Sequence, residues 1–168
     1  KAEGYSGNKA MHPFNPYNYN RPAVYKDFGF TDFIDKFDFP KNVKRVREYI
    51  SDEANVDRII SEYEKNRKKT DQPFYKYNMT IQNHSPYDKD AANFKQPIKI
   101  ESSKYDAEAN RYLNLIKYSD DSLKQLTGYF EKCKEPTIIL FLGDHQPRLT
   151  DEFMNKITNG QYQTWSSE

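Results

Sequence analysis

"IILFLGDHQP", residues 138–147, decides the fold of this 168-residue chain. Five apolar residues run unbroken into Gly143, then Asp144, His145 and a turn at Pro147. Together with Thr137, the run reads as a strand over 137–142 that is covered on both faces, as strands of a mostly parallel sheet are. Such a strand ends by delivering a carboxylate and an imidazole, side by side, to the rim of a sheet.

Working outward, two other segments read as strands. Residues 8–14, "NKAMHPF", are short and run into a Pro/Asn-rich loop; residues 73–82, "PFYKYNMTIQ", are aromatic and alternating, bounded by Pro73 and by "NHSP". Helices fill the intervals. A short one starts at Arg21, with Pro22 in its first turn where the missing N–H does no harm, and runs to about Gly29. Over 52–69, Val56, Ile59, Ile60 and Tyr63 make one apolar stripe, with Ser51 as N-cap and acids in the first turn. The stripe recurs over 106–132 through Ala109, Tyr112, Leu113, Ile116, Leu123 and Phe130, with Gly128 as a weak spot near its end. Residues 88–105 read as a surface loop, and Glu152 to Ile157 as a small helix.

Strands alternating with helices predict an α/β fold, a partial, mostly parallel sheet flanked by helices. Three strands make a thin sheet, and a strand as apolar as 137–142 needs neighbours on both sides. No other segment reads as one, so the expectation is that part of the sheet lies in sequence outside residues 1–168. The opening "KAEGYSGNKA" shows neither a signal peptide nor a helix start, which fits a chain that begins mid-structure.

Composition excludes several classes. Charged residues are 30% of the chain and mean hydropathy is -1.07, yet 14 Tyr and 11 Phe argue for a folded, aromatic-rich interior rather than disorder. The 26 basic and 25 acidic residues nearly cancel, and the densest basic run, "KNRKK" at 65–69, closes a helix. The electrostatic footprint of a nucleic-acid binder is missing. Cys133 is the single cysteine, which rules out an intrachain disulfide framework. No run approaches the length of a membrane span.

The chemistry is carried by three histidines, each at or just after the end of a predicted strand. In an open parallel sheet, ligands bind beyond the carboxyl ends of the strands, so His12, His84 and His145 are expected at one edge. Asp144 and His145 offer donors suited to zinc, manganese or iron, and Gly143 is read as the residue that lets the backbone turn so both face one ion. A carboxylate capping a turn beside a surface histidine is the other reading. In "HPFNPYNYNRP", 12–22, Arg21 stands where a bound anion would suit it. His12 would add a donor, and Tyr17 or Tyr19 a stacking wall for a polyol; an aromatic loop with Arg21 in solvent is the alternative. His84, set in the turn "NHSPY", is placed to touch a phosphoryl oxygen or a leaving alkoxide, or is structural. No Walker loop, GxSxG or GxGxxG motif is present.

Taken in order, "GYSGNKAMHPFNPYNYNRPAVYKDFGFTDFID" (4–35), "SDEANVDRIISEYEKN" (51–66), "PFYKYNMTIQNHSPY" (73–87), "YLNLIKYSDDSLKQL" (112–126) and "LFLGDHQP" (140–147) resemble the later portion of the catalytic domain of lipoteichoic-acid synthases and related phosphoglycerol transferases. These form part of the sulfatase branch of the alkaline phosphatase superfamily. The resemblance covers about residues 4–150 and implies that 1–168 is the C-terminal portion of one sulfatase-like catalytic domain. It implies that Asp144 and His145 ligate a divalent metal, usually manganese, with zinc or magnesium as alternatives, and that His84 contacts the phosphoryl group. His12 and Arg21 would hold the glycerophosphate. Tyr19 stands where the synthases tend to carry tryptophan, which keeps an aromatic wall but alters its shape. The family's threonine nucleophile and an acidic metal ligand fall upstream of Lys1.

The resemblance further implies an extracellular, membrane-anchored enzyme that passes a phosphoglycerol-type group from a lipid headgroup to a glycan or polymer acceptor. This segment alone is expected to be inert, to bind metal weakly through two ligands, and to self-associate through an unpaired sheet edge. A sulfatase or phosphodiesterase differs in using water as acceptor; Cys133, at a helix end before the strand, is not positioned as its modified nucleophile. A non-catalytic module for anionic glycans or lipid headgroups is the reading from a different class.

Overall fold

The computed structural model describes residues 4–101 and 106–162. Its centre is a parallel sheet of β1 (Ser6–Met11), β2 (Asp32–Ile34) and β5 (Phe74–Asn78) in the order β2-β1-β5. Between β2 and β5 the chain makes a small antiparallel hairpin, β3 (Arg45–Val46) with β4 (Tyr49–Ile50), and then helix α2 (Asp52–Arg67). Helix α1 (Arg21–Asp27) joins β1 to β2, while α3 (Ala107–Phe130) packs on α2 and α4 (Asp151–Ile157) closes the described chain. This is the α/β architecture expected, a partial parallel sheet flanked by helices.

In the order β2-β1-β5 the strand succession reverses at β1. From β1 the chain moves to one side to form β2, then crosses over to form β5 on the other side. The carboxyl end of β1 is therefore a switch point, where parallel sheets open a cleft for ligands. Just past that end the ladder continues: His12 N–H donates to Ile34 O at 2.9 Å and Met79 N–H to Met11 O at 2.9 Å.

The helices begin where the sequence places caps. Ser51 Oγ accepts from Ala54 N–H at 3.1 Å, and Asp106 Oδ1 from Ala109 N–H at 2.9 Å, each satisfying an amide that the first turn leaves unpaired. Gly128 does not interrupt α3, which continues to Phe130. The predicted loop 88–105, of which 102–105 lie outside the described residues, is held down by that helix. Asn114 accepts from Ile98 N–H and donates to Ile98 O, both at 2.9 Å, and Asn110 accepts from Ile100 N–H at 3.0 Å.

Two apolar clusters form the interior. Met11, Ile34, Phe39, Ile50, Ala54 and Ile59 fill the space between sheet and α2. Val46, Tyr87, Phe94, Ala109, Leu115, Leu149 and Met154 gather against α3 and α4. The hairpin bridges them, with Val46 in one cluster and Ile50 in the other.

The segment 137–142 departs from expectation. It forms no strand, and Ile138 and Leu140 are 96% and 80% exposed. A strand needs ladder partners for its N–H and C=O groups and cover for both faces, and the described residues supply neither. The third strand of the sheet is instead β2, too short to announce itself by periodicity. The other strands are shorter than predicted: β1 stops at Met11 instead of running to 14, and β5 at Asn78 instead of 82. Gly143 is also corrected. Its φ is not left-handed and a Cβ there would meet nothing within 4 Å, so no sharp turn depends on it.

Candidate functional site

His12 follows β1 directly at the switch point and is almost wholly buried. Its Nδ1 lies 3.1 Å from Met79 O. A carbonyl oxygen can only accept, so Nδ1 carries the proton. Burial, with the Arg21 charge acting in the same sense, lowers the pKa of His12 to about 4 against an opposing pull from the Met79 bond. At neutral pH the ring is therefore uncharged and its Nε2 is a bare acceptor. The sequence reading gave His12 a donor's role; the structure makes it an acceptor, suited to a hydroxyl.

His84 and His145 repeat the arrangement in exposed settings. Nδ1 of His84 is 2.8 Å from Ser85 O, and Nδ1 of His145 is 2.8 Å from Gln146 O. In all three histidines the same ring nitrogen is spent on a backbone carbonyl, and Nε2 has no internal hydrogen bond among the described residues. Nε2 is the nitrogen each side chain keeps for something else.

His84 and His145 are ring neighbours, and the rings of Phe14 and Tyr49 lie between His84 and His12. His12 lies edge-on to Phe14 at 6.0 Å, Phe14 to Tyr49 at 5.9 Å, Tyr49 to His84 at 6.2 Å, and His84 to His145 at 6.4 Å between centroids. His12 feels the charges of Arg21, Asp144 and His84, which places these four side chains in one electrostatic neighbourhood. The structure sets His84 beside His145 and brings His12 within electrostatic reach of His84 and Asp144, although His145 follows no strand. Phe14 and Tyr49, which span the gap, were not singled out in the sequence. Tyr49 sits on β4, a strand of two residues with no periodic signal.

Arg21 opens α1 and turns its guanidinium inward. Nη1 reaches Tyr25 Oη and Met79 Sδ, both at 3.4 Å, while the buried Nε has no partner. Its Cζ lies 5.2 Å from the ring centre of Tyr19, a cation–π contact. Tyr19 is exposed, and both it and Asn20 hold positive φ, 58° and 49°. Successive left-handed non-glycine residues are uncommon and cluster at ligand clamps. The alternative of Arg21 free in solvent is not what the structure shows.

Asp144 and His145 are both exposed, with Oδ2 and Nε2 4.0 Å apart. Two ligands each about 2.0–2.2 Å from one ion can span that gap. A carboxylate oxygen and an imidazole nitrogen suit a hard or borderline divalent cation. Two such donors would fill only half of a four-coordinate shell, and no group of three or more metal-capable side chains occurs among the described residues.

The sequence model of the sulfatase family matches residues 1–167. The chain belongs to the sulfatase family. A putative cyclic β-1,2-glucan modification protein of Rhizobium meliloti is 35% identical to this sulfatase-family chain over 152 residues, covering 89% of it and 23% of the relative. The phosphoglycerol transferase GacH of Streptococcus pyogenes, solved with sn-glycerol-1-phosphate, superimposes with a TM-score of 0.69 at 25% identity, over 94% of this chain and 42% of its own. The lipoteichoic acid synthase LtaP of Listeria monocytogenes gives a TM-score of 0.63 at 25% identity, over 76% of this chain and 30% of its own. The chain spans about a quarter of the length of the curated relatives it matches. No helix among the described residues is long and apolar enough to cross a membrane.

Proposed function

We propose that this chain supplies the phosphate-gripping and part of the metal-holding half of an extracellular, metal-dependent transferase. The enzyme would move a phosphoglycerol-type group from a lipid headgroup to a glycan or polymer acceptor, with membrane anchorage supplied by other parts of the protein. The observation that carries this reading is the run of edge-on rings from His12 to His145, with every Nε2 left uncommitted. Its kinship with a glycerophosphate-binding phosphoglycerol transferase and a lipoteichoic acid synthase supports the choice of substrate class.

Each residue then has a part. The Arg21 guanidinium opposes phosphate charge, and Tyr19 walls the pocket beside it. The bare Nε2 of His12 accepts from a glycerol hydroxyl. As the imidazolium, with both ring nitrogens protonated, His84 donates through Nε2 to a phosphoryl oxygen, and the ring is placed to exchange that proton with an alcohol that leaves or attacks. Asp144 and His145 would hold a divalent cation, manganese by resemblance, which when bound neutralises phosphoryl charge and acidifies a hydroxyl nucleophile. By the family resemblance the nucleophile is proposed to lie outside residues 1–168, so these residues alone would bind without turning over.

Calorimetric titration with sn-glycerol-1-phosphate tests this. The wild-type chain should bind; His12→Ala and Arg21→Ala should each weaken binding about tenfold or more, measured at a temperature where circular dichroism shows each variant folded. No binding by the wild type, or equal binding by both variants, contradicts the reading.

A further inference from the structure

We propose that Arg47 is the positioning residue of the His84 turn, an inference that rests on the phosphoryl contact assigned to His84 above. The turn after β5 has no strand partner, so its carbonyls must find donors elsewhere. Arg47 provides most of them. Its Nη2 donates to Gln82 O at 2.8 Å and to His84 O at 2.7 Å, and its Nη1 donates to Pro86 O at 2.5 Å. Tyr49 Oη donates to Ser85 O at 3.1 Å and Tyr87 Oη to Asn83 O at 2.8 Å. Every carbonyl from residue 82 to residue 86 thus accepts from a side chain, and the alternate ones share a single guanidinium. Only a planar fork with donors facing several directions can do this; an ammonium cannot.

Arg47 is itself held by its surroundings, with only its buried Nε lacking a partner among the described residues. It is buried, with its Cζ 5.3 Å from the ring centre of Tyr49 and 5.7 Å from that of Tyr87. It is the first residue of the two-residue turn between β3 and β4 and holds φ at 56°, a position where hairpins favour glycine. Asn93 secures that conformation: its Oδ1 accepts from Arg47 N–H at 3.1 Å and its Nδ2 donates to Arg47 O at 2.9 Å. The flanking Val46 and Ile50 anchor in the two core clusters. An arginine kept at a glycine's backbone position, gripping the turn on either side of His84, makes sense if the gain is the fixed aim of that imidazole. Tyr49, on the same hairpin, touches the His84 ring directly.

The test compares wild type, Arg47→Gly and Arg47→Lys in the 168-residue chain by amide hydrogen exchange and imidazole NMR. Glycine suits the backbone at residue 47, so the hairpin should persist, with the Val46 and Ile50 amides exchanging as in wild type. Exchange at His84 and Tyr87 should accelerate about tenfold or more in Arg47→Gly and by an intermediate factor in Arg47→Lys. With sn-glycerol-1-phosphate added, the ligand-induced shift of His84 should vanish in Arg47→Gly while that of His12 remains. Unchanged exchange at His84 and Tyr87, or an unaltered His84 shift, would overturn the proposal, as would loss of protection throughout the chain in both variants. A wild-type chain in which neither His12 nor His84 responds to the ligand refutes the phosphoryl reading, and this inference with it. That failure is recognisable because it precedes any comparison with the variants.

Discussion

Asp52 and His12 are both buried ionisable groups, and their burial acts on stability in opposite directions. Burial raises the Asp52 carboxyl from 3.8 to about 6 despite the Ser119 hydroxyl and the bonding to Gln82, both of which favour its charged form. Between those values the folded chain keeps a proton that the unfolded chain releases, so a destabilising effect grows as pH rises and is complete above about pH 6. For His12, ordinarily 6.5 and lowered to about 4, the unfolded chain takes up a proton first, so stability is lost as pH falls across that range. The two effects largely offset between pH 6.5 and 4 in the wild type. Asp52→Asn removes one of them. Its melting temperature should fall more steeply than that of the wild type over that range, by the equivalent of up to a few kcal/mol; parallel curves would contradict the assignment. At this scale the sequence singled out His12, His84, Asp144 and His145 because apolar runs or prolines flank them, although only His12 directly follows a strand. It did not show Arg47, Phe14 or Tyr49. What matters about each is a contact with a residue distant in sequence, and no local pattern records that.

Among the elements, β1 depends on a glycine. Gly7 holds φ at +67°, where the register between β1 and β5 shifts, and a Cβ there would lie 2.4 Å from the Phe74 ring. That ring is held in turn edge-on to Tyr63 of α2 at 5.8 Å, so it cannot simply move aside. Gly7→Ala should destabilise the chain by on the order of 2–3 kcal/mol, read from urea denaturation; a change below about 0.5 kcal/mol, typical of an ordinary surface site, would contradict it. The helices α2 and α3 were legible because their stripes and first-turn acids agree with their caps. Strands β2, β3 and β4 were not, since two or three residues cannot display a period. The run 137–142 was misread for a physical reason: its apolar continuity reports what it needs to be covered by, and strand formation depends on partners that a local pattern does not contain.

Across the whole molecule, balanced charge leaves little long-range repulsion, and two features invite contact between copies. Among the described residues no strand pairs with the outer edge of β2 or of β5, and Ile138, Leu140, Phe141 and Leu142 are exposed in sequence order. Unpaired edges and contiguous apolar surface both promote association. Sedimentation velocity on the 168-residue chain should show association that rises with concentration and is reduced in Leu140→Lys. A strictly monomeric profile at high concentration would contradict this. The α/β class and the parallel sheet were legible from the alternation of helix and strand; the order β2-β1-β5, which puts the switch point beside His12, was not, because β2 itself was unseen.

The central claim is that cation-binding and anion-gripping side chains, far apart in sequence, share one rim of the sheet. Manganese paramagnetic broadening of the three imidazole NMR signals tests it most directly. Substoichiometric Mn²⁺ bound at Asp144 and His145 should broaden His145 most, His84 next and His12 also, and Asp144→Asn should reduce all three effects together. Broadening confined to His145, with His84 and His12 left sharp, would contradict the account.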